Sequence, residues 1–430
     1  MILKDAPALP DRATKPITMD SLQSLSAKWL FPGLLIAMVT GNQLWKLGPF
    51  YIGQMFSWIN DAAAVIIVLS AFRRKLWPRM LLGGIIIAKV IQVTSLISPD
   101  KAELVFDLLL NALFCAAGAV ILFRLLHLIY KQVMVICLLN VIFMAMQVGG
   151  VGEWTQFLAT EMEFTSKTPA RVFFVKEEDL DYQIVQARPS GLLHSNNFLS
   201  LVALFGLSLH LSRSNKKFRG GTAILAAMAV LSMAKVVLFG FLLLVLLVLM
   251  TGNRLQRKGA VRAVVWAMLF LGIYAVLFPG LFAHHIDIWN FSVSFLGRLA
   301  DVAKSFPQGN AFRVMVENYF AATDTQYFLA REEHISGYAP LVPYLPYIII
   351  FLALLTPFFL HGLRNLRRCS SLLSSTSVTV LLIVLIYPFA VPFLRAQIFG
   401  FIAGFALLPL FISFQPRYFK ASQLMNSVSS

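Results

Sequence analysis

Charge is scarce in this sequence: only 13% of its 430 residues are Asp, Glu, Lys or Arg, while 58% are hydrophobic. A soluble globular domain carries about 25% charged residues, so that class is excluded. Cysteine is scarcer still. Cys115 and Cys137 fall inside apolar runs and Cys369 at the edge of one, a set that makes neither a disulfide framework nor a metal cluster. The P-loop pattern Gly-x-x-x-x-Gly-Lys-Ser/Thr is absent, which excludes an ATPase motor of that kind. His-Glu-x-x-His and Gly-x-Ser-x-Gly are absent too, and the adjacent pair His284-His285 lacks metal-ligand spacing. Asp179-Leu-Asp181 has a spacing seen in metal sites, but beside Glu177-Glu178 it reads as a solvated acidic run. No metal and no cofactor is expected. The first 25 residues lack an apolar signal-peptide core and read as a cytoplasmic lead-in.

What the chain does have is apolar runs near 20 residues, repeated from end to end. They predict an all-α polytopic membrane protein of about twelve transmembrane helices. The expected spans are roughly 29–45, 51–71, 79–97, 103–123, 132–148, 191–211, 220–233, 236–250, 262–282, 341–360, 372–393 and 396–414. The seventh and eighth are short, as in a tilted pair or a hairpin. This divides the chain into a cytoplasmic segment 1–28, a transmembrane domain 29–414 and a cytoplasmic tail 415–430. The Ser-rich stretch 370–377 and the Ser-rich tail are its only low-complexity segments, and the tail is expected to be disordered.

The formal net charge of +16 is distributed as a topology signal. With the N-terminus inside, 23 of the 36 Lys and Arg fall in inside segments, including Arg73-Arg74-Lys75 and Arg254–Arg262. The balance therefore needs no nucleic acid. Two outside segments are long, about 149–190 and 283–340, and both hold more acids than bases. In the second, Phe295, Leu299, Val302 and Phe306 recur at helical spacing with Arg298, Asp301 and Ser305 opposite, predicting an amphipathic helix. A second helical patch, 311–322, follows the break Pro307-Gln308-Gly309-Asn310.

One stretch combines polarity and depth as no other does: Arg188-Pro-Ser-Gly-Leu-Leu-His-Ser-Asn-Asn197. Polar groups at the head of a span are costly unless they face protein or a watery cavity. Pro189 suits the first turn of a helix, and Gly191 permits close approach to the backbone. Further ionisable or polar groups are expected on the same side: Ser232 and Lys235 between spans seven and eight, Arg298, Arg313, the cluster Glu332-Glu333-His334, and Arg395. His194, Asn196 and Asn197 complete the set. Several cations at one depth suit a phosphate-rich substrate, because Arg binds phosphate oxygens with a planar fork and Lys adds a point charge. Within the spans, Lys89 is expected to pair with Asp61 or Asp107 and lock the bundle, or to mark an ion path.

This ordered set resembles the O-antigen polymerase and O-antigen ligase superfamily of bacterial envelope glycosyltransferases. The resemblance covers about residues 185–360 and rests on Arg188-x-x-Gly191 with Asn196 or Asn197, then Ser232-x-x-Lys235, Gly297-Arg298, and Glu332-Glu333-His334 before the next span. It implies a large late periplasmic loop, residence in the bacterial inner membrane, and transfer of a glycan from an undecaprenyl-diphosphate carrier. The acceptor would be another lipid-linked repeat unit or lipid A-core. Arg188, Lys235 and Arg298 would hold the diphosphate, and Glu332, Glu333 or His334 would act as general base. Gly191, His194, Asn196, Asn197, Ser232, Arg313 and Arg395 would line the substrate. Partners implied are membrane lipid, the undecaprenyl-diphosphate-linked glycan and envelope polysaccharide assembly proteins. The competing readings are a transporter or flippase for an anionic or lipid-linked substrate, and a non-catalytic envelope scaffold.

Overall fold

A computed structural model describes residues 19–40, 46–47, 50–73, 75–94, 99–148, 174–176, 183–185, 191–193, 196–212, 220–232, 235–277, 298–322, 339–390 and 397–414. The described residues are helical nearly throughout. The helices are α1 (Met19–Val39), α2 (Ile52–Ala71), α3 (Trp77–Thr94), α4 (Pro99–Val148), α5 (Asn196–Ser212), α6 (Gly220–Leu231), α7 (Lys235–Thr251) and α8 (Arg254–Leu277). There follow α9 (298–304), α10 (Ala311–Ala322), a 3-10 turn (Ala339–Tyr344), α11 (Leu345–Cys369), α12 (Ser371–Ala390) and α13 (Gln397–Phe414). Two short antiparallel pairs interrupt them, Lys46–Leu47 with Phe50–Tyr51 and Phe174–Lys176 with Gln183–Val185. The acidic run Glu177–Asp181 lies outside the described residues.

Among the described residues, seven helices are long and apolar enough to cross a membrane, and four shorter apolar helices accompany them. The protein is thus a helical multi-pass membrane protein. Within α4 the apolar part runs Val105–Gln147, 43 residues. At 1.5 Å per residue that is about 65 Å, roughly twice a bilayer's hydrocarbon core. The helix is broken by non-helical backbone at Leu125 (φ −128°, ψ 24°). Its arm before the break packs on α13, where a Cβ at Gly404 would collide with the Cys115 carbonyl and one at Gly118 with the Phe401 carbonyl. Glycines four apart, Gly400 and Gly404, let the two backbones touch, which is how helices gain van der Waals contact in a lipid solvent. The arm after the break packs on α5: a Cβ at Gly206 would meet Val133 and Cys137 side chains. Aromatic pairs knit the centre, Phe31 with Phe401 at 5.6 Å and Phe205 with Phe405 at 4.9 Å between ring centroids.

Several boundaries differ from those read in the sequence. The first helix starts at Met19, so Lys28 lies within it rather than in a lead-in segment, and it closes at Val39, just before Gly41-Asn42. At the sixth span, residues 191–193 form a turn and α5 begins only at Asn196, so Pro189 is not in that helix's first turn. The short pair is 12 and 17 residues, about 18 and 26 Å long.

The Ser-rich stretch proves to be structural. Ser374, Thr376, Ser377 and Thr379 are buried on α12. The Thr379 hydroxyl meets the Ser208 hydroxyl of α5 and donates to the Ser375 carbonyl at 3.0 Å. Beside it, Gln256 and Asn253 form a reciprocal cap at the start of α8: the Asn253 N–H donates to Gln256 Oε1 (2.9 Å), and Asn253 Oδ1 accepts the Gln256 N–H (3.0 Å). The Gln256 amide then donates to the Ser212 carbonyl (3.1 Å) and Ser375 Oγ (3.2 Å), tying α5, α8 and α12 at one end.

Lys89 is exposed and finds other company than expected. Its ammonium donates to Gln92 Oε1 (2.8 Å) and lies over the Phe106 ring, while Asp61 accepts from Gln397 Nε2 (2.7 Å) at the first residue of α13.

Candidate functional site

The site is built from the turn at Gly191. Gly191 has φ +64°, in the left-handed region that an L side chain rarely adopts. It is buried, as is Leu193. Two amides from the second arm of α4 hold it. Gln147 clasps a single residue from both sides: the Gly191 N–H donates to Gln147 Oε1 (3.0 Å), and Gln147 Nε2 donates to the Gly191 carbonyl (3.2 Å). Asn140 Oδ1 accepts the Leu192 N–H (2.9 Å), while Asn140 Nδ2 donates to the Ile136 carbonyl of its own helix (2.8 Å). That second bond fixes which way the amide points. The close approach that Gly191 permits is therefore to the Asn140 side chain, which a Cβ would strike.

The chain then enters α5, whose first two residues are Asn196 and Asn197. The far end of α5 meets the start of α6: His210 Nδ1 bonds the Tyr130 hydroxyl (2.8 Å) and His210 Nε2 the Thr222 hydroxyl (3.3 Å). So α6 runs back along α5, and Ser232 and Lys235 return to the end that holds the Gly191 turn. Ser232 is buried and its hydroxyl donates to the Ala229 carbonyl (2.9 Å). Lys235 is the first residue of α7. Two helix N-termini, at Asn196 and Lys235, therefore lie at one end of the bundle, each with the partial positive charge of unpaired backbone N–H groups.

The late segment forms its own hairpin. Gly309 takes φ +82° and the Asn310 N–H donates to the Pro307 carbonyl (3.1 Å), the geometry of a type II turn. Asn310 Oδ1 caps α10 through the Phe312 N–H at 3.0 Å. Ala300, Ala303, Val316 and Phe320 make the buried contact between α9 and α10. The expected face is rotated: Asp301, assigned to the polar side, is buried, because the small Ala300 and Ala303 give α10 its seat. Arg313 closes the hairpin. Its Nε donates to Glu317 Oε1 (2.7 Å) and its Nη1 to the carbonyls of Lys304 (3.3 Å) and Phe306 (3.0 Å). Its described contacts are thus structural, at the C-terminal end of α9. Arg298 opens α9; burial lowers its proton affinity from the ordinary arginine value, but a guanidinium stays charged throughout the physiological range.

Arg188, His194, Glu332, Glu333, His334 and Arg395 lie outside the described residues. Of the expected lining, Gly191, Ser232 and the heads of α5 and α7 share one end of the bundle. Arg298 and Arg313 sit in the separate hairpin. Among the described residues, no group of three or more His, Cys, Asp or Glu stands together as a metal site. Sequence reading missed Asn140 and Gln147. Their signal was present, two amides seven residues apart, hence on one helix face, in an otherwise apolar run. No protein-family model, curated protein or solved structure matches this chain.

Proposed function

We propose that the protein is a membrane glycosyltransferase that polymerises or ligates undecaprenyl-diphosphate-linked oligosaccharides at the outer face of the bacterial inner membrane. One observation carries the reading: the Arg188–Asn197 stretch contains a buried, amide-held glycine turn and leads into a helix N-terminus that shares its end of the bundle with a second one. Such termini favour an anion such as a diphosphate. The acceptor hydroxyl attacks the anomeric carbon as the bond from that carbon to the phosphate oxygen breaks. The undecaprenyl diphosphate leaves with the bonding electrons, and the hydroxyl proton passes to Glu332, Glu333 or His334. Arg188, Lys235 and Arg298 stabilise the charge that grows on the leaving group.

The architecture that accompanies this reading has twelve spans. It counts the two arms of α4 separately and takes the four shorter apolar helices as the remaining spans. Both termini are cytoplasmic and the segments 149–190 and 283–340 periplasmic, as the loop charge bias implies. The surface glycan of a deletion strain tests the function. Single-repeat chains indicate a polymerase, bare core a ligase, and unchanged glycan refutes both.

A transporter is the second reading. The bond between Asp61 and Gln397, nine residues inside α2, favours it, since an ionisable group within a span is a functional candidate by default. A transporter moves lipid-linked glycan across vesicles without extending it; the transferase lengthens the glycan in detergent, where no gradient exists.

A further inference from the structure

We infer that Asn140 and Gln147 are positioning residues: through the backbone of Gly191 and Leu192 they set the turn at Gly191–Leu193 that precedes α5. The inference rests on the glycosyl-transfer reading for what the stretch does, but its own support is separate. A turn between two spans ordinarily satisfies its backbone through local capping or water. Here two N–H groups and one carbonyl of the turn are taken by side chains 44 and 52 residues away in sequence. Both amides are fully or nearly fully buried. A buried amide is costly unless hydrogen-bonded, so residues of this kind in an apolar helix are explained by the groups they hold.

The hydrogen-bond directions leave little freedom. Gln147 spends Oε1 and Nε2 on one residue, so rotating its amide by 180° would oppose donor to donor and acceptor to acceptor. Asn140 is locked by its bond to the Ile136 carbonyl, which leaves Oδ1 as the outward atom that receives the Leu192 N–H. The two grips are seven residues apart, two turns of the same arm, and meet adjacent peptide units. Arg188 stands three residues before Gly191 in the chain, and Asn196 five after it. A shift of the turn therefore moves the point from which both depart. A displacement near 1 Å in a catalytic constellation costs on the order of 100-fold in rate.

The experiment uses the purified full chain with a fluorescent undecaprenyl-diphosphate oligosaccharide, and measures kcat, KM and donor binding for Asn140→Leu, Gln147→Leu, Asn140→Asp and Gln147→Glu. Turn geometry is read independently as the maleimide labelling rate of Leu193→Cys, with the three native cysteines replaced by alanine. The leucine variants should lose roughly 10- to 100-fold in kcat while donor binding changes less than threefold, and labelling should rise at least fivefold. Asn140→Asp keeps the outward acceptor and should recover most of the turnover; Gln147→Glu keeps the acceptor alone and should be intermediate. If the leucine variants do not fold, Gln147→Glu decides, and parental turnover in it overturns the inference. So does parental kcat in folded leucine variants, whatever the labelling. Arg188→Ala in the same assay separates the two claims: if it too is fully active, the transferase site itself is misplaced, whereas an inactive Arg188→Ala beside fully active amide variants refutes the positioning role alone.

Discussion

Replacing Gly191 by alanine perturbs the site with the smallest possible change. Two effects add. The left-handed backbone at φ +64° costs a non-glycine residue roughly 1–2 kcal/mol. The new Cβ also strikes Asn140 Oδ1, with Asn140 Cγ at 3.2 Å and Cβ at 3.3 Å behind it. Asn140 cannot swing aside without giving up the Leu192 N–H and the Ile136 carbonyl, and each such bond contributes about 0.5–1.5 kcal/mol. The turn is therefore destabilised by about 2–5 kcal/mol, an increase in its opening constant of about 30- to 5,000-fold. Leu193, fully buried beside the turn, reports that opening when it carries a cysteine. Its maleimide labelling rate in membranes should rise by that factor in the Gly191→Ala background. Gly191→Asn separates the terms, because asparagine tolerates left-handed backbone but still meets Asn140. An unchanged labelling rate in Gly191→Ala would show that the turn does not depend on its glycine, and the amide clasp would lose its meaning.

Three other substitutions test the scaffold. Gly404→Val should cut membrane abundance severely, since its Cβ has no room beside the Cys115 carbonyl, while Gly272→Val, with open space around it, should leave abundance unchanged. Gln256→Leu removes three described bonds at the start of α8, two of which reach α5 and α12, and should cost about 1.5–4.5 kcal/mol, read as a lower thermal unfolding midpoint in detergent; an unchanged midpoint would show that these bonds do not tie the helices together. Arg313→Ala should raise proteolysis between Lys304 and Phe312 without altering bundle stability, because the guanidinium joins α9 to α10; equal cleavage of both proteins would show that the hairpin holds without it.

Composition and periodicity were enough to determine class and punctuation. Runs of apolar residues separated by basic clusters specify membrane helices, because a lipid solvent forces the backbone to bond within each segment. Pro307-Gln308-Gly309-Asn310 specifies a turn, and α10 follows over Ala311–Ala322 where the pattern placed it, since each of those residues acts through its own backbone or its near neighbours. What only the tertiary structure decided is partnership across the chain. Nothing local shows that Asn140 and Gln147 face Gly191, that the hydroxyls of 370–377 include partners for Gln256 on α8, or that Asp61 meets Gln397 rather than Lys89. The same distance rule turned Asp301 inward: its helix carries two alanines on the seat for α10, and close approach there outweighed the wider apolar stripe of Leu299, Val302 and Phe306. A polar side chain in an apolar helix announces that a partner exists, because leaving it unbonded there is costly, but its identity depends on which helix the fold lays alongside.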